Sequence, residues 1–142
     1  MRTIVVSFFL FFTLAASSQN LLNYVDPNIG TAHSRWFFYT PAAVPHGMAK
    51  LAPSTNGHYG NPSGWEAVGY DVRHNSIEGF VHFHEWQIGG VNVMPATGAL
   101  KTIPGELENP SSGYRSTFNR KNEKAEPGYY KVLLSDYNIT AE

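Results

Sequence analysis

The chain has 142 residues and no cysteine, and its 10 Lys plus Arg are balanced by 11 Asp plus Glu. Disulfide stapling, thiol catalysis and a lipid-anchored cysteine are thereby excluded. The positive charges are scattered rather than gathered on one segment, which argues against nucleic acid or an anionic membrane as a partner.

The first element in chain order is MRTIVVSFFLFFTLAASS, residues 1–18. One basic residue (Arg2), an apolar run to Leu14 and small residues from Ala15 to Ser18 form the charged, greasy, small-residue order of a signal peptide. It is too short and wrongly flanked to span a membrane as a helix. A mature chain starting near Gln19 is expected, exported to the periplasm or secreted and roughly 120 residues long.

After that segment, glycines and prolines interrupt the chain so often that no long window keeps a 3.6-residue apolar period. Long helices are not expected. The β-like runs are GMAKLA (47–52), SIEGFVHFHEW (76–86), GVNVM (90–94) and GYYKVLL (128–134). Between them, APSTNGHYGNPSG (52–64) is rich in turn residues, and the polar stretch 104–127 reads as a solvated loop around one short edge strand at 114–118. GYYKVLLSDYNITAE (128–142) reads as a strand, a turn at 135–138 and the start of a second strand, so a hairpin cut short is expected. The class that fits is all-β, an antiparallel β-sandwich with long functional loops, incomplete at its C-terminus.

The densest chemistry lies in GFVHFHEWQIGG, residues 79–90. If this run is one strand, side chains alternate, so Phe80, His82, His84 and Trp86 share one face and Val81, Phe83 and Glu85 the other. A metal reading takes His82 and His84 as two ligands and needs a third, from His33, His46, His58, His74 or a carboxylate. In a sugar reading, Trp86 with Glu85, and Trp65 with Glu66, offer flat apolar rings beside hydroxyl acceptors. The third alternative makes Phe80, Val81 and Phe83 core and satisfies the histidines with backbone partners.

Trp65 and Glu66 follow a loop of glycine, proline and asparagine, where side chains are displayed rather than packed. Glu66 and Glu85 are the only acids beside a tryptophan. Glycoside hydrolysis needs two carboxyl groups, about 5 Å apart for retention and about 6.5–9.5 Å for inversion. Nothing in the sequence sets these two face to face, so no catalytic residue is assigned.

Four ordered blocks carry a family resemblance: YVDPNIGT (24–31), AAVPHGMAKLAPST (42–55), GWEAVGYDVRHNSIEGFVHFH (64–84) and VNVMPATG (91–98). Together with GYYKVLLSDYNITAE they resemble the opening of family 92 glycoside hydrolases, exported, calcium-dependent, inverting exo-α-mannosidases. The resemblance implies an N-terminal β-sandwich followed by a C-terminal (α/α)₆ barrel, with the sugar between them. It implies that residues 19–142 are the first part of that sandwich, and that the general acid, general base and most calcium contacts belong to the barrel. It places Trp65, His82 and His84 on family positions near the sugar. Where the family has WDWCSGY, LSGTG and GGHGH, this chain has WEAVGY, EWQIGG and AHSRW, and Trp65 matches either family tryptophan.

The expected role is therefore to shape a cleft for an α-mannoside-like glycan, with Trp65 stacking and Glu66, His82, His84 and Glu85 contacting the sugar. No metal ligand is assigned in this chain, and calcium is implied for the full-length family enzyme only. The alternatives are a stand-alone carbohydrate-binding module without catalysis and a shortened product with no function of its own.

Overall fold

In β-strands, alternate side chains must find a core, and the clearest alternation in this chain is YYKVLL. The computed structural model describes residues 20–32, 51–57, 69–84, 88–89 and 91–142, and within them YYKVLL is a strand whose residues alternate inward and outward. Tyr130, Val132 and Leu134 are buried, while Lys131 is exposed and Tyr129 and Leu133 are half-buried.

Among the described residues there are nine strands: β1 (Ala52–Ser54), β2 (Ser76–Ile77), β3 (Gly79–Val81), β4 (Phe83–His84), β5 (Ile88–Gly89), β6 (Ser116–Thr117), β7 (Glu123–Glu126), β8 (Tyr129–Leu134) and β9 (Ile139–Ala141). Every pairing is antiparallel: β1 with β3, β2 with β6, β4 with β5, and β7, β8 and β9 in one sheet. The only helical pieces among the described residues are 3₁₀ turns of three or four residues. The all-β, antiparallel class is therefore what the chain forms. No described helix is long and apolar enough to cross a membrane.

The core joins Tyr70, Ile77 of β2 and Phe118 to the inward residues of β8. Phe80 packs on it with its ring 6.4 Å from that of Tyr130. Burying Val132 and Leu134 completely contributes on the order of 1.5–3 kcal/mol per side chain.

Local chemistry accounts for the three-stranded sheet. Pro127 and Gly128 join β7 to β8, and Gly128 has φ 77°, the left-handed value that this two-residue connection demands and glycine adopts without steric cost. Between β8 and β9 the turn closes through Asn138 at φ 53°, which asparagine tolerates better than most residues. Leu134 pairs with Ile139 and Val132 with Ala141, so the C-terminal hairpin has a second arm of three residues.

Several expectations need correction. The run 76–86 is not one strand: it breaks at Glu78 and bends at His82, β3 pairing with β1 and β4 with β5. Gly79 is one cause, since its φ of 151° is a conformation L side chains rarely adopt, and a Cβ there would meet Asn92 Oδ1 at 1.9 Å. Of the run 90–94, the described residues 91–94 contribute an isolated bridge from Val93 to Phe80, the strand lying earlier, at β5. The stretch 104–127 is not uniformly solvated. Arg115, Ser116 and Phe118 are buried there, and EKAE is strand β7, hidden in the sequence because its inward side chains are a glutamate and an alanine. Of the run 47–52, only Leu51 and Ala52 are among the described residues, and β1 runs on to Ser54. The expected signal peptide also lies outside them.

Candidate functional site

The predicted sugar contacts divide into three groups. Trp65, Glu66 and Glu85 lie outside the described residues. His84 is placed by its backbone, in β4 opposite Ile88. His82 sits at the bend between β3 and β4, half-buried, with Nδ1 2.8 Å from the carbonyl oxygen of Val91.

That contact determines the chemistry of His82. A carbonyl only accepts, so Nδ1 carries the proton, and in the neutral ring Nε2 is left with a lone pair for an incoming hydroxyl. Of the strand face expected to carry Phe80, His82, His84 and Trp86, Trp86 lies outside the described residues; Phe80 packs on the core, and the chain bends at His82. Nδ1 of His82 thus has a backbone partner.

Among the described residues no three His, Asp or Glu side chains are grouped so as to hold a metal ion. His74, one of the candidate third ligands, has its Nδ1 2.9 Å from Thr55 Oγ1. No described residue is assigned to the calcium that the family resemblance implies for the full-length enzyme, and no step is derived through it.

What the sequence reading missed is a buried polar network beside this segment. Glu78 and Arg115 form an ion pair of 3.1 Å with both side chains at 0% exposure. Glu78 Oε1 accepts from Ser54 Oγ at 2.8 Å and from the backbone N–H of Gly57. Arg115 Nη1 donates to the Thr55 carbonyl and to Ser76 Oγ, both at 3.0 Å. Burial pulls the Arg115 guanidinium below its usual pKa while Glu78 opposes the shift. A charge inside an apolar run (Glu78 in SIEGF) and a lone arginine between Tyr114 and Ser116 are the signals that would have pointed here.

A second cluster secures the core edge. The Glu123 carboxylate accepts from Tyr70 Oη at 2.7 Å, Tyr130 Oη at 2.6 Å and Arg120 Nη1 at 2.8 Å. Arg120 lies over the rings of Tyr70 and Phe118 and donates to the carbonyls of Val72 and His74. Burial, with the Glu123 charge second, pushes the Tyr130 phenol well above its ordinary value.

A cavity of about 310 Å³ is lined by Asn92, Met94, Leu100, Lys101, Tyr114 and Tyr137 among others. Two of its polar groups are already engaged: Lys101 Nζ donates to the carbonyls of Ser111 and Gly113, and Tyr137 Oη to that of Tyr114. Burial, reinforced by Glu78, raises the Tyr114 phenol pKa.

Residues 24–142 match the glycosyl hydrolase family 92 N-terminal domain. Among solved structures, the chain is similar to a family GH92 α-mannosidase from Bacteroides thetaiotaomicron, determined free and in complex with mannoimidazole. Identity is 32% and the TM-score 0.69, over 87% of this chain and 16–17% of the other. It is also similar to a family GH92 inverting mannosidase from the same organism, at 26% identity and TM-score 0.61, over 85% of this chain and 16% of the other. The chain therefore spans about a sixth of the length of these relatives. No curated protein matches it significantly.

Proposed function

The chain belongs to glycosyl hydrolase family 92, and from that premise we propose that it is the leading part of the N-terminal sandwich of an exported, inverting, α-mannosidase-like glycosidase. Its role in this reading is to shape the sugar cleft. Trp65 stacks on the pyranose face, and Glu66, His82, His84 and Glu85 hydrogen-bond its hydroxyls. The general acid and base come from polypeptide outside this chain, in a following (α/α)₆ barrel domain. Export follows from reading residues 1–18 as a signal peptide.

The observation that carries the reading is the match of residues 24–142 to the family domain, together with 32% identity to a solved α-mannosidase over 87% of the chain. Two features support it. His82 Nε2 is left as an acceptor once Nδ1 is bound to Val91, and the carboxylates of Glu78 and Glu123 are each held by an arginine, as structural rather than proton-transferring groups are. Without an acid–base pair, positioning supplies binding but not the proton transfers of hydrolysis.

The test is release of mannose from aryl α-mannosides by this 142-residue chain, with and without added calcium. No turnover is expected, and clear turnover by the chain alone would overturn the assignment of the catalytic groups elsewhere.

One observation favours a second reading, a carbohydrate-binding module without catalysis: β9 pairs in register with Val132–Leu134 of β8, which extends the sheet to three strands. A cooperative thermal transition raised by mannosides in the isolated chain would support it, because a ligand bound only by the folded state stabilises that state.

A further inference from the structure

The ladder beside His82 is short. Phe80 and Val93 exchange both main-chain hydrogen bonds, at 2.9 and 3.0 Å, and form one isolated antiparallel bridge. Counting outward from that pair sets Val81 opposite Asn92 and His82 opposite Val91, and there the Val91 carbonyl meets His82 Nδ1 at 2.8 Å. A slip of one residue would reverse the faces of the segment and take this carbonyl away from the imidazole. The chain leading to Val91 contains Gly89 and Gly90, and glycine-rich strands specify register weakly. One bridge is therefore little to hold the pairing.

A second contact completes it. Gly79 has φ 151°, and a Cβ there would run into Oδ1, Cγ and Nδ2 of Asn92, so the amide is seated against a position that only glycine leaves open. From that seat Nδ2 donates to the Glu78 carbonyl at 3.3 Å.

We propose that Gly79 and Asn92 are positioning residues for His82: the seat between them locks the register that brings the Val91 carbonyl to Nδ1 and so leaves Nε2 as the acceptor. This rests on reading His82 as a sugar contact. Stability alone does not account for the pair. Asn92 Oδ1 is buried without a hydrogen-bond partner, a cost that an apolar side chain of similar size would avoid. Gly79 adds the entropy lost on fixing a glycine in a strand. What the two achieve together is placement. Which imidazole nitrogen carries the proton is set by the hydrogen bond that the ring makes, so a ring without Val91 is free to take either tautomer. In the other tautomer Nε2 donates, and a sugar hydroxyl offering its proton finds no acceptor there.

The test labels the histidines of the full 142-residue chain with ¹⁵N in the ring and reads long-range ¹H–¹⁵N correlations at about pH 8.5, above the ordinary titration range of imidazole. His82→Gln assigns the His82 signals. In the parent chain Nδ1 should show the shift of a protonated nitrogen and Nε2 that of a bare one. Asn92→Ala empties the seat, and Gly79→Ala pushes the amide out of it. In both, the two His82 shifts are expected to move towards each other as the tautomers mix. Leu134→Ala is the control, lowering stability from β8 without altering these contacts, and it should leave the His82 pattern unchanged. If Gly79→Ala fails to fold, Asn92→Ala decides. An unaltered His82 pattern in folded Asn92→Ala, or the same change in Leu134→Ala, would overturn the proposal. The underlying sugar reading has its own check: His82→Phe should weaken methyl α-mannoside binding by about tenfold, the worth of one good hydrogen bond. If it does not, that reading fails while the ¹⁵N pattern still judges the positioning of the ring.

Discussion

The sheet β7–β8–β9 and the Glu78–Arg115 network are built on opposite logics. The sheet is local: residues 123–141 supply all three strands and both turns, and its inner face is apolar except at Glu123. The network is non-local, joining Ser54, Glu78 and Arg115 from positions 24 to 61 residues apart, and it is polar at 0% side-chain exposure for its ion pair. The difference shows where this chain places stability and where it places geometry. Apolar burial is tolerant of small shifts, whereas a desolvated ion pair holds its partners in one arrangement or costs heavily.

The largest effect should come from breaking the polar side of this contrast. Glu78→Ala strands the Arg115 charge in the interior and should destabilise the chain by about 3–5 kcal/mol, read from urea denaturation midpoints. Replacing both partners, as in Glu78→Leu with Arg115→Met, should recover part of that loss. A double variant no more stable than Glu78→Ala would mean the hydrogen bonds to Thr55 and Ser76 outweigh the ion pair.

Next in size is the apolar side. Leu134→Ala opens a cavity beneath β8 and should cost about 2–4 kcal/mol by the same measurement. A double variant with Glu78→Ala whose loss departs from the sum of the two single losses by more than about 0.5 kcal/mol would show that sheet and network are one cooperative unit.

The smallest effect sharpens the comparison at its seam, the Tyr130–Glu123 hydrogen bond. Removing it by Tyr130→Phe should cost about 1–2 kcal/mol near neutral pH. Burial holds the Tyr130 phenol above its ordinary pKa of 10.0, so the folded chain keeps this proton when the unfolded chain has begun to lose it. Stability is therefore intact below about pH 10 and declines as pH rises past it. Thermal melts from pH 8 to 11 should show a steeper alkaline fall in the parent chain than in Tyr130→Phe, and parallel curves would assign the fall to other groups.

Legibility in the sequence followed the range of the interactions. YYKVLL was readable because alternation and the turns at Pro127–Gly128 and 135–138 are neighbours in the chain. EKAE was not, because an inward glutamate that binds two tyrosines and an arginine looks like surface until those partners are known. His82 was singled out for its chemistry, and its backbone partner at Val91, nine residues on, is supplied by the bend that an unbroken alternation would deny.

By itself, the sequence determined the all-β class, the C-terminal hairpin and the family, because turn chemistry, period-two patterning and ordered motif blocks are written in contiguous residues. Only the tertiary structure decided that the run 76–86 breaks at Glu78 and His82, and that Glu78 and Arg115 meet out of water. The same folding set the His82 tautomer. A buried charge is stable only where its partner arrives, and that meeting is decided by how distant segments pack.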